Sequence, residues 1–190
     1  MSKIFFSLPF PDNANSIFLI PIRKPVQHAR SLLDQHLHFS KLQEKDDFVR
    51  RYMNYLGHNE FGLNHKPWNE PKNFQDTNKI DYWIEQWILF YQNILNKYKF
   101  YKNCHFVIYE KLTNTNYIEK LLVKINFNKI ENLDLNYFKN NNNKTIEKNY
   151  SRNGYNKAIE IYNNFLDLLF CKIINLINMK IKYNKSYYLK

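Results

Sequence analysis

The feature that most constrains the fold of this chain is an apolar run that leads almost directly into an amphipathic helical pattern. Residues 16–22 (SIFLIPI) are apolar on both faces, which is typical of a strand in a parallel sheet that helices cover. Pro25 suits the first turn of a helix. The apolar residues after it recur at helical spacing: Val26, Ala29, Leu32, Leu33 and Leu37. A strand that runs into a helix in this way predicts an α/β fold.

The sequence around this unit adds a strand and a long weakly patterned stretch. Residues 4–8 (IFFSL) predict a strand, which the turn formers PFPDNAN separate from the next one. Residues 40–76 predict an irregular excursion, and segments of that length often cover a binding site. Within it, DDFVRRYMNYLG predicts a helix that begins at Asp46 or Asp47 and ends at Gly57.

The second half of the chain continues the α/β order. Aromatic and apolar residues at steps of four predict a helix: Trp83, Trp87, Tyr91 and Leu95. Residues 105–112 (HFVIYEKL) predict a strand that ends on a carboxylate and a lysine, and residues 116–127 predict an amphipathic helix. Residues 139–144 (KNNNNK) are a low-complexity loop, and residues 154–179 predict one long C-terminal helix. We therefore expect a short parallel sheet flanked by helices.

Composition limits the classes of protein to consider. A chain of 190 residues that is 44% hydrophobic suits one domain, residues 1–190. The net charge of +11 is spread along the chain, which favours a solvated basic surface over a nucleic-acid interface. No apolar run reaches the roughly 20 residues that cross a bilayer, and Cys104 and Cys171 show no disulfide or CxxC pattern. We expect a cytoplasmic protein without a metal site, because the histidines lack ligand spacing.

Arg23 is the candidate binding residue that the pattern singles out. It stands where the strand ends and the helix begins, and the free N–H groups at a helix N-terminus favour an anion there. A guanidinium adds a two-pronged donor that suits phosphate. Ser31 lies eight residues later on a polar side of the helix and would donate to the same phosphate if that group lay along the helix. The alternatives are a structural ion pair or helix-entry role for Arg23 and a solvated serine at position 31.

These residues, taken together, resemble the 3′-phosphate-binding segment of the sulfotransferase family. The strand that ends in Arg23, the proline two residues on and Ser31 match its spacing, and HFVIYEKL is similar to that family's strand and YE-x-L step. The resemblance covers residues 17–127. It implies a P-loop-like three-layer fold and sulfuryl transfer from phosphoadenosine phosphosulfate to a hydroxyl or amine of a carbohydrate or another small acceptor. It also implies that Arg23 and Ser31 hold the 3′-phosphate of the donor, and SRNG (residues 151–154) is similar to a segment that would add Arg152.

The departures from the family pattern concern the transfer chemistry. No Lys/Gly/Thr-rich 5′-phosphosulfate loop precedes the strand, no GxxxxGK[ST] occurs, and Ser7 stands where many members carry a catalytic histidine. His36 and His38 are the remaining candidate proton acceptors, whereas Glu110 is expected to be a structural carboxylate that accepts N–H or arginine bonds.

Two explanations fit the missing loop: the chain is the C-terminal part of a longer enzyme, or it is a degenerate copy. Either leaves enzymatic activity open, with a non-catalytic nucleotide-binding or sulfated-glycan-binding remnant as the alternative. A domain without its phosphosulfate loop would also lose central sheet area. We therefore expect marginal stability or association with another chain.

Overall fold

The computed structural model describes residues 17–98, 104–125, 127 and 150–187. In chain order they form β1 (Phe18–Ile22), α1 (Pro25–Lys45), α2 (Asp47–Leu56), α3 (Ile80–Tyr98), β2 (Cys104–Ile108), α4 (Thr115–Lys124) and α5 (Arg152–Tyr187). The fold is α/β, as predicted, and mostly helical, with a short parallel sheet and a long C-terminal helix. The strand predicted over residues 4–8, Ser7 within it, and the loop predicted over residues 139–144 lie outside the described residues. No described helix has the length and apolar character to span a membrane.

The two strands end at the same level. β1 and β2 pair in parallel over their whole length, with Ile22 opposite Ile108 at the last position. Arg23 and Tyr109, the next residue of each strand, therefore meet at the carboxyl-terminal edge of the sheet, which we call the strand edge. This edge is where ligands of open parallel sheets usually bind, because chain segments diverge there and leave a crevice.

The strands differ from the sequence-based prediction in two respects: the burial of β1 and the length of β2. β1 packs one face into the core through Ile20 and Ile22, but Leu19 on its other face is 46% exposed, so the described residues leave that face of β1 partly open. An all-apolar run has no periodicity from which the covered face can be read. The strand predicted over residues 105–112 ends at Ile108, and a 3₁₀ turn, Tyr109–Lys111, follows. The chain turns there because Glu110 bonds to the backbone that leaves β1.

Helices α1, α3 and α5 form the main helical layer. The His28 and Tyr91 rings lie 6.2 Å apart, and eight residues further along α1 the His36 ring lies 5.4 Å from Trp83. The two helices are therefore antiparallel. Phe165 of α5 packs edge-on against Tyr91, with ring centroids 5.7 Å apart. The core draws buried side chains from these helices and both strands, among them Ile22, Leu33, Trp87, Phe106 and Phe165.

Helix α2 begins and ends at the residues that the sequence predicts. The Asp46 carboxylate accepts the N–H of Phe48 at 2.8 Å and caps the helix N-terminus. Gly57 ends the helix in the left-handed conformation, with φ of 69°.

The irregular excursion predicted over residues 40–76 starts later than expected. α1 continues to Lys45, α2 follows, and the backbone is irregular only between α2 and α3, over residues 57–79. The last turns of α1 bury Gln43, a polar residue, so no apolar stripe marks them in the sequence. We call residues 57–79 the pinned segment.

Helix α1 holds the first half of the pinned segment. His36 Nδ1 accepts the N–H of Gly62 at 3.2 Å, and Gln43 Oε1 accepts the N–H of Leu63 at 2.7 Å. Gly62 has φ of 89°, and a Cβ at this position would lie 2.1 Å from Gln43 Oε1. The backbone here can approach the helix only because residue 62 is glycine.

Helix α3 holds the second half. The Glu85 carboxylate accepts the backbone N–H groups of residues 72–74 at 3.0–3.3 Å. Gln86 Nε2 donates to the carbonyl of Asn69 at 2.8 Å. His36, Gln43, Glu85 and Gln86 are the buried polar side chains of the described core, and each bonds to the pinned segment. Their burial is therefore compensated by hydrogen bonds to a stretch that has no secondary structure of its own.

Candidate anion site at the strand edge

Arg23 lies at the strand edge, where its sequence position predicts it. It is half-buried, and its guanidinium carbon is 5.1 Å from the centre of the Tyr109 ring, a cation–π distance. Tyr109 is itself 38% exposed. The parallel register of β1 and β2 brings these two residues together although they are far apart in the sequence.

Glu110 is already occupied by protein groups. Its Oε1 accepts the backbone N–H of Lys24 at 2.7 Å, and its Oε2 accepts the hydroxyl of Tyr162 from α5 at 3.3 Å. The structural role that the sequence predicts for this carboxylate, as an acceptor of N–H bonds, is therefore confirmed. The pair of contacts fixes the exit of β1 against the exit of β2.

Arg23 has no carboxylate partner within the described part of the chain. The ion pairs found there join Arg50 to Asp47 and His58 to Glu60. The ion-pair alternative for Arg23 is therefore not what the described residues show. The Arg23 guanidinium lies against the Tyr109 ring, and a cation–π contact is not a hydrogen bond to its N–H groups. Arg23 therefore retains N–H donors for an external acceptor.

The N-terminus of α1 adds donors beside Arg23. Lys24 is its N-cap, and the Lys24 side chain makes no capping hydrogen bond, whereas the Glu110 carboxylate accepts the Lys24 N–H. The first turn of α1 holds no acidic residue. Pro25 has no N–H, and the next two backbone N–H groups lie in the first turn, where a helix supplies no acceptor. The N-terminus of α1 thus holds one carboxylate, Glu110, at the Lys24 N–H and keeps two further N–H groups without a helix acceptor.

His28 contributes no charge to this site near neutral pH. Burial, with a smaller effect from the nearby Arg23 guanidinium, lowers its pKa from 6.5 to about 4. Its Nδ1 is buried and has no hydrogen-bond partner among the described residues. The strand edge therefore carries the charge of Arg23 and of the exposed Lys24, balanced in part by Glu110.

Tyrosine hydroxyls hold the ends of both strands. Tyr91 donates to the carbonyl of Pro21 at 3.1 Å, and the Tyr117 hydroxyl accepts the N–H of Ile108 at 2.8 Å. Burial raises the pKa of Tyr91 and of Tyr162, and the charge of Glu110 raises both further. Sequence reasoning assigned Tyr91 and Tyr162 to helix packing alone, and the only available signal was that a buried hydroxyl needs a partner.

The other two predicted phosphate ligands, Ser31 and Arg152, lie at different distances from the strand edge. Ser31 is half-buried on α1, six residues after Pro25, which is about 9 Å along the helix axis. Arg152 is exposed at the first position of α5, ten residues before Tyr162, or about 15 Å along that helix. Ser31 is thus within reach of a ligand that extends along α1, whereas the structure does not bring Arg152 to the strand edge.

The candidate proton acceptors His36 and His38 are also remote. His36 lies eleven residues after Pro25, about 17 Å along α1, and is 4% exposed with Nδ1 bonded to Gly62. His38 is exposed two residues further on. α1 therefore carries both histidines away from the strand edge, and their role as proton acceptors stays a prediction.

Among the described residues, no group of three or more His, Cys, Asp or Glu side chains could hold a metal ion. An open cavity of about 530 Å³ lies on the pinned segment and is lined by polar residues: Asn54, Asn59, Asn64, His65 and Lys66. It is wide and has no apolar wall, and its residues do not include Arg23.

The described residues at the strand edge supply donors for a single anion of phosphate size. Arg23 and the N-terminus of α1 supply cationic and N–H donors for a single anion. The three glycines of the chain, Gly57, Gly62 and Gly154, all lie outside the turn from β1 to α1, and the sequence has no Gly-rich phosphate loop.

Comparison of the chain with protein-family models, with curated proteins and with solved structures finds no match. The geometry of the strand edge and the sequence resemblance are therefore the observations that bear on function.

Proposed function

We propose that the chain is a sulfotransferase-like domain whose strand edge binds the 3′-phosphate of phosphoadenosine phosphosulfate. In this role it would transfer the sulfuryl group to a hydroxyl or amine of an acceptor such as a carbohydrate. The single observation that carries the proposal is the half-buried Arg23, free of a carboxylate partner in the described chain, beside the N-terminus of α1.

The physical support is the excess of donors at one point. A guanidinium can form two parallel hydrogen bonds to phosphate oxygens, and helix N-terminal N–H groups add more. Glu110, the carboxylate of the YEKL step, is engaged with the Lys24 N–H and the Tyr162 hydroxyl. Glu110 therefore stabilises the strand edge, and the Arg23 guanidinium can bind the ligand.

A non-catalytic binder of the nucleotide or of a sulfated glycan is the second candidate. The observation that favours it is the lack of a Gly-rich phosphosulfate loop anywhere in the sequence. Sulfuryl transfer requires N–H or cationic groups around the leaving phosphate, and one arginine at the 3′-phosphate does not supply them. Binding at Arg23 is common to both candidates, and turnover separates them.

The first test is calorimetric titration with phosphoadenosine phosphate, the donor without its sulfuryl group. We expect micromolar binding and a weakening of about 30-fold in Arg23→Ala, since a charge-assisted hydrogen bond contributes about 2 kcal/mol. Arg51→Ala is the matched control, because it removes one exposed arginine from α2. Equal weakening in both variants, or no binding by the folded wild type, contradicts the proposal.

Substitution of the other two predicted ligands, Ser31 and Arg152, shows where the bound phosphate lies. Ser31→Ala should weaken binding by less than Arg23→Ala if the phosphate extends along α1. Arg152→Ala should leave the affinity unchanged, because its position is about 15 Å along α5 from the residue that reaches the strand edge. A loss in Arg152→Ala as large as that in Arg23→Ala would show that the ligand lies elsewhere.

A transfer assay then separates the two candidates. The chain is incubated with labelled phosphoadenosine phosphosulfate and a panel of sugar, phenol and amine acceptors. Transfer that Arg23→Ala reduces supports the enzyme, whereas binding without transfer supports the non-catalytic role.

A further inference from the structure

Two histidines hold the first half of the pinned segment against the helices. His36 Nδ1 accepts the N–H of Gly62 at 3.2 Å, so the proton of the neutral ring is on Nε2. A protonated imidazole has N–H on both nitrogens and accepts nothing. Protonation of His36 and the bond to Gly62 are therefore incompatible.

His65 belongs to the pinned segment and faces His36 from the other side. The two ring centroids are 5.3 Å apart, and His65 lies 5.0 Å from Trp83. Its Nε2 and the hydroxyl of Tyr82 are 2.6 Å apart. A charge on either ring would sit among aromatic side chains and would repel a charge on the other.

Acidic groups near these rings give little compensation. Glu60 attracts a proton toward His65, but Glu60 is 58% exposed and lies 3.5 Å from His58, so solvent screens it. Glu70 acts on Tyr82 and helps raise the pKa of that phenol to about 12, with burial as the larger cause. Tyr82 thus stays protonated in the range where histidines titrate.

The pKa values of both histidines lie below the ordinary value of 6.5. Burial is the main cause for His36, and the neighbouring His65 lowers its pKa further. Burial is also the main cause for His65, and it outweighs the opposing effect of Glu60 and of the carbonyls of Asn59 and Glu60. Both rings are therefore neutral while the segment is packed.

We propose that His36 and His65 form an acid-sensitive latch: it holds residues 58–66 on α1 and α3 at neutral pH and releases them in mildly acidic solution. The latch is independent of the function proposed for the strand edge. Its release would uncover Trp83, which is 3% exposed in the packed state, and would disassemble the polar cavity that His65 lines.

The direction and size of the effect follow from proton linkage. In the released state the histidines take up protons near pH 6.5, and in the latched state they do so only at lower pH. The released state therefore binds more protons as the pH falls below 6.5, and release becomes more favourable. Between pH 7.5 and 5.0 each histidine that stays neutral in the latched state favours release by up to about 30-fold.

Hydrogen–deuterium exchange of the full chain at pH 7.5 and 5.0 tests the latch. After correction for the intrinsic pH dependence of exchange, the amides of Gly62 and Leu63 should lose protection at pH 5.0, by up to about 30-fold for each histidine that stays neutral in the latched state. The amides of β2 should keep theirs, which separates release from global unfolding. Unchanged protection of Gly62 and Leu63 at pH 5.0 overturns the proposal.

Variants assign the effect to the two rings. His36→Gln keeps an acceptor for Gly62 but does not titrate, so it should reduce the pH dependence, and His65→Gln should do the same. His38→Gln removes an exposed histidine from the same helix and should leave it unchanged. If the two glutamine variants retain the full pH dependence, the latch is not made of these histidines.

A variant in which residues 58–66 are already released at pH 7.5 would show no pH dependence. A pH titration of the wild type by NMR tests the latch in that case as well. Ring proton shifts of His36 and His65 should report apparent pKa values below 6.5 that coincide with the loss of protection. Values at or above 6.5 for both rings contradict the latch.

Discussion

The strand edge and the pinned segment treat their polar groups in opposite ways. At the pinned segment, buried side chains of α1 and α3 all bond to the backbone of the segment: His36, Gln43, Glu85 and Gln86. At the strand edge, Glu110 is bonded in the same internal manner, but Arg23 is left with an aromatic neighbour and no carboxylate in the described chain. Saturated polar groups stabilise a conformation, whereas an unsaturated cation beside helix N–H donors is suited to a ligand.

Among the residues that hold the pinned segment, Glu85 should have the largest effect on stability when it is removed. Glu85→Ala leaves the N–H groups of residues 72–74 without their acceptor, and we expect it to lower the free energy of unfolding by about 3 kcal/mol or more. Denaturant unfolding measures this change. Glu119→Ala, an exposed carboxylate on α4, is the control and should change stability by less than about 0.5 kcal/mol. A cost below about 1 kcal/mol for Glu85→Ala would mean that the segment is not held by this residue.

Acid should weaken the fold at the strand edge through His28. Its pKa is about 4 in the folded protein and 6.5 in the unfolded chain, so the unfolded chain binds more protons between these values. Stability should therefore fall as the pH drops below 6.5, by about 3 kcal/mol when pH 4 is reached. His28→Gln should flatten this part of the stability profile. An identical profile for the variant would mean that His28 is not buried as neutral imidazole.

The two charged residues of the strand edge should differ in what they contribute to stability. Glu110→Ala removes the acceptor of Lys24 N–H and of the Tyr162 hydroxyl, and we expect a loss of about 2 kcal/mol. Arg23→Met keeps an apolar stem against Tyr109 and removes an unpaired cation from the positive end of α1. Thermal and denaturant unfolding should therefore show a change within about 0.5 kcal/mol, or a gain. A loss for Arg23→Met as large as that for Glu110→Ala would make Arg23 a structural residue.

The helices and the strand edge were predictable because their signals are local. Asp46 and Gly57 bound α2 by capping chemistry, and the steps of four from Trp83 onward define α3. The step from β1 to α1 gives the position of Arg23. Local periodicity is the quantity that sequence reasoning reads best.

The contacts that decide the environment of Arg23 were not predictable, because they join distant parts of the chain. The bond from Tyr162 to Glu110 spans 52 residues, and the one from Lys24 N–H to Glu110 spans 86. The pinned segment has no period at all, and its order comes from polar side chains on α1 and α3. Its nature as a fixed structure could be learned only from the fold.

Removal of the 3′-phosphate and of the arginine, separately and together, shows whether Arg23 binds the 3′-phosphate of a nucleotide. Wild type and Arg23→Ala are each titrated with phosphoadenosine phosphate and with adenosine 5′-phosphate, which lacks the 3′-phosphate. We expect the wild type to lose about tenfold or more in affinity without the 3′-phosphate, whereas the variant should lose less than about twofold. Equal losses in both proteins would contradict it, because the phosphate would then be bound without Arg23.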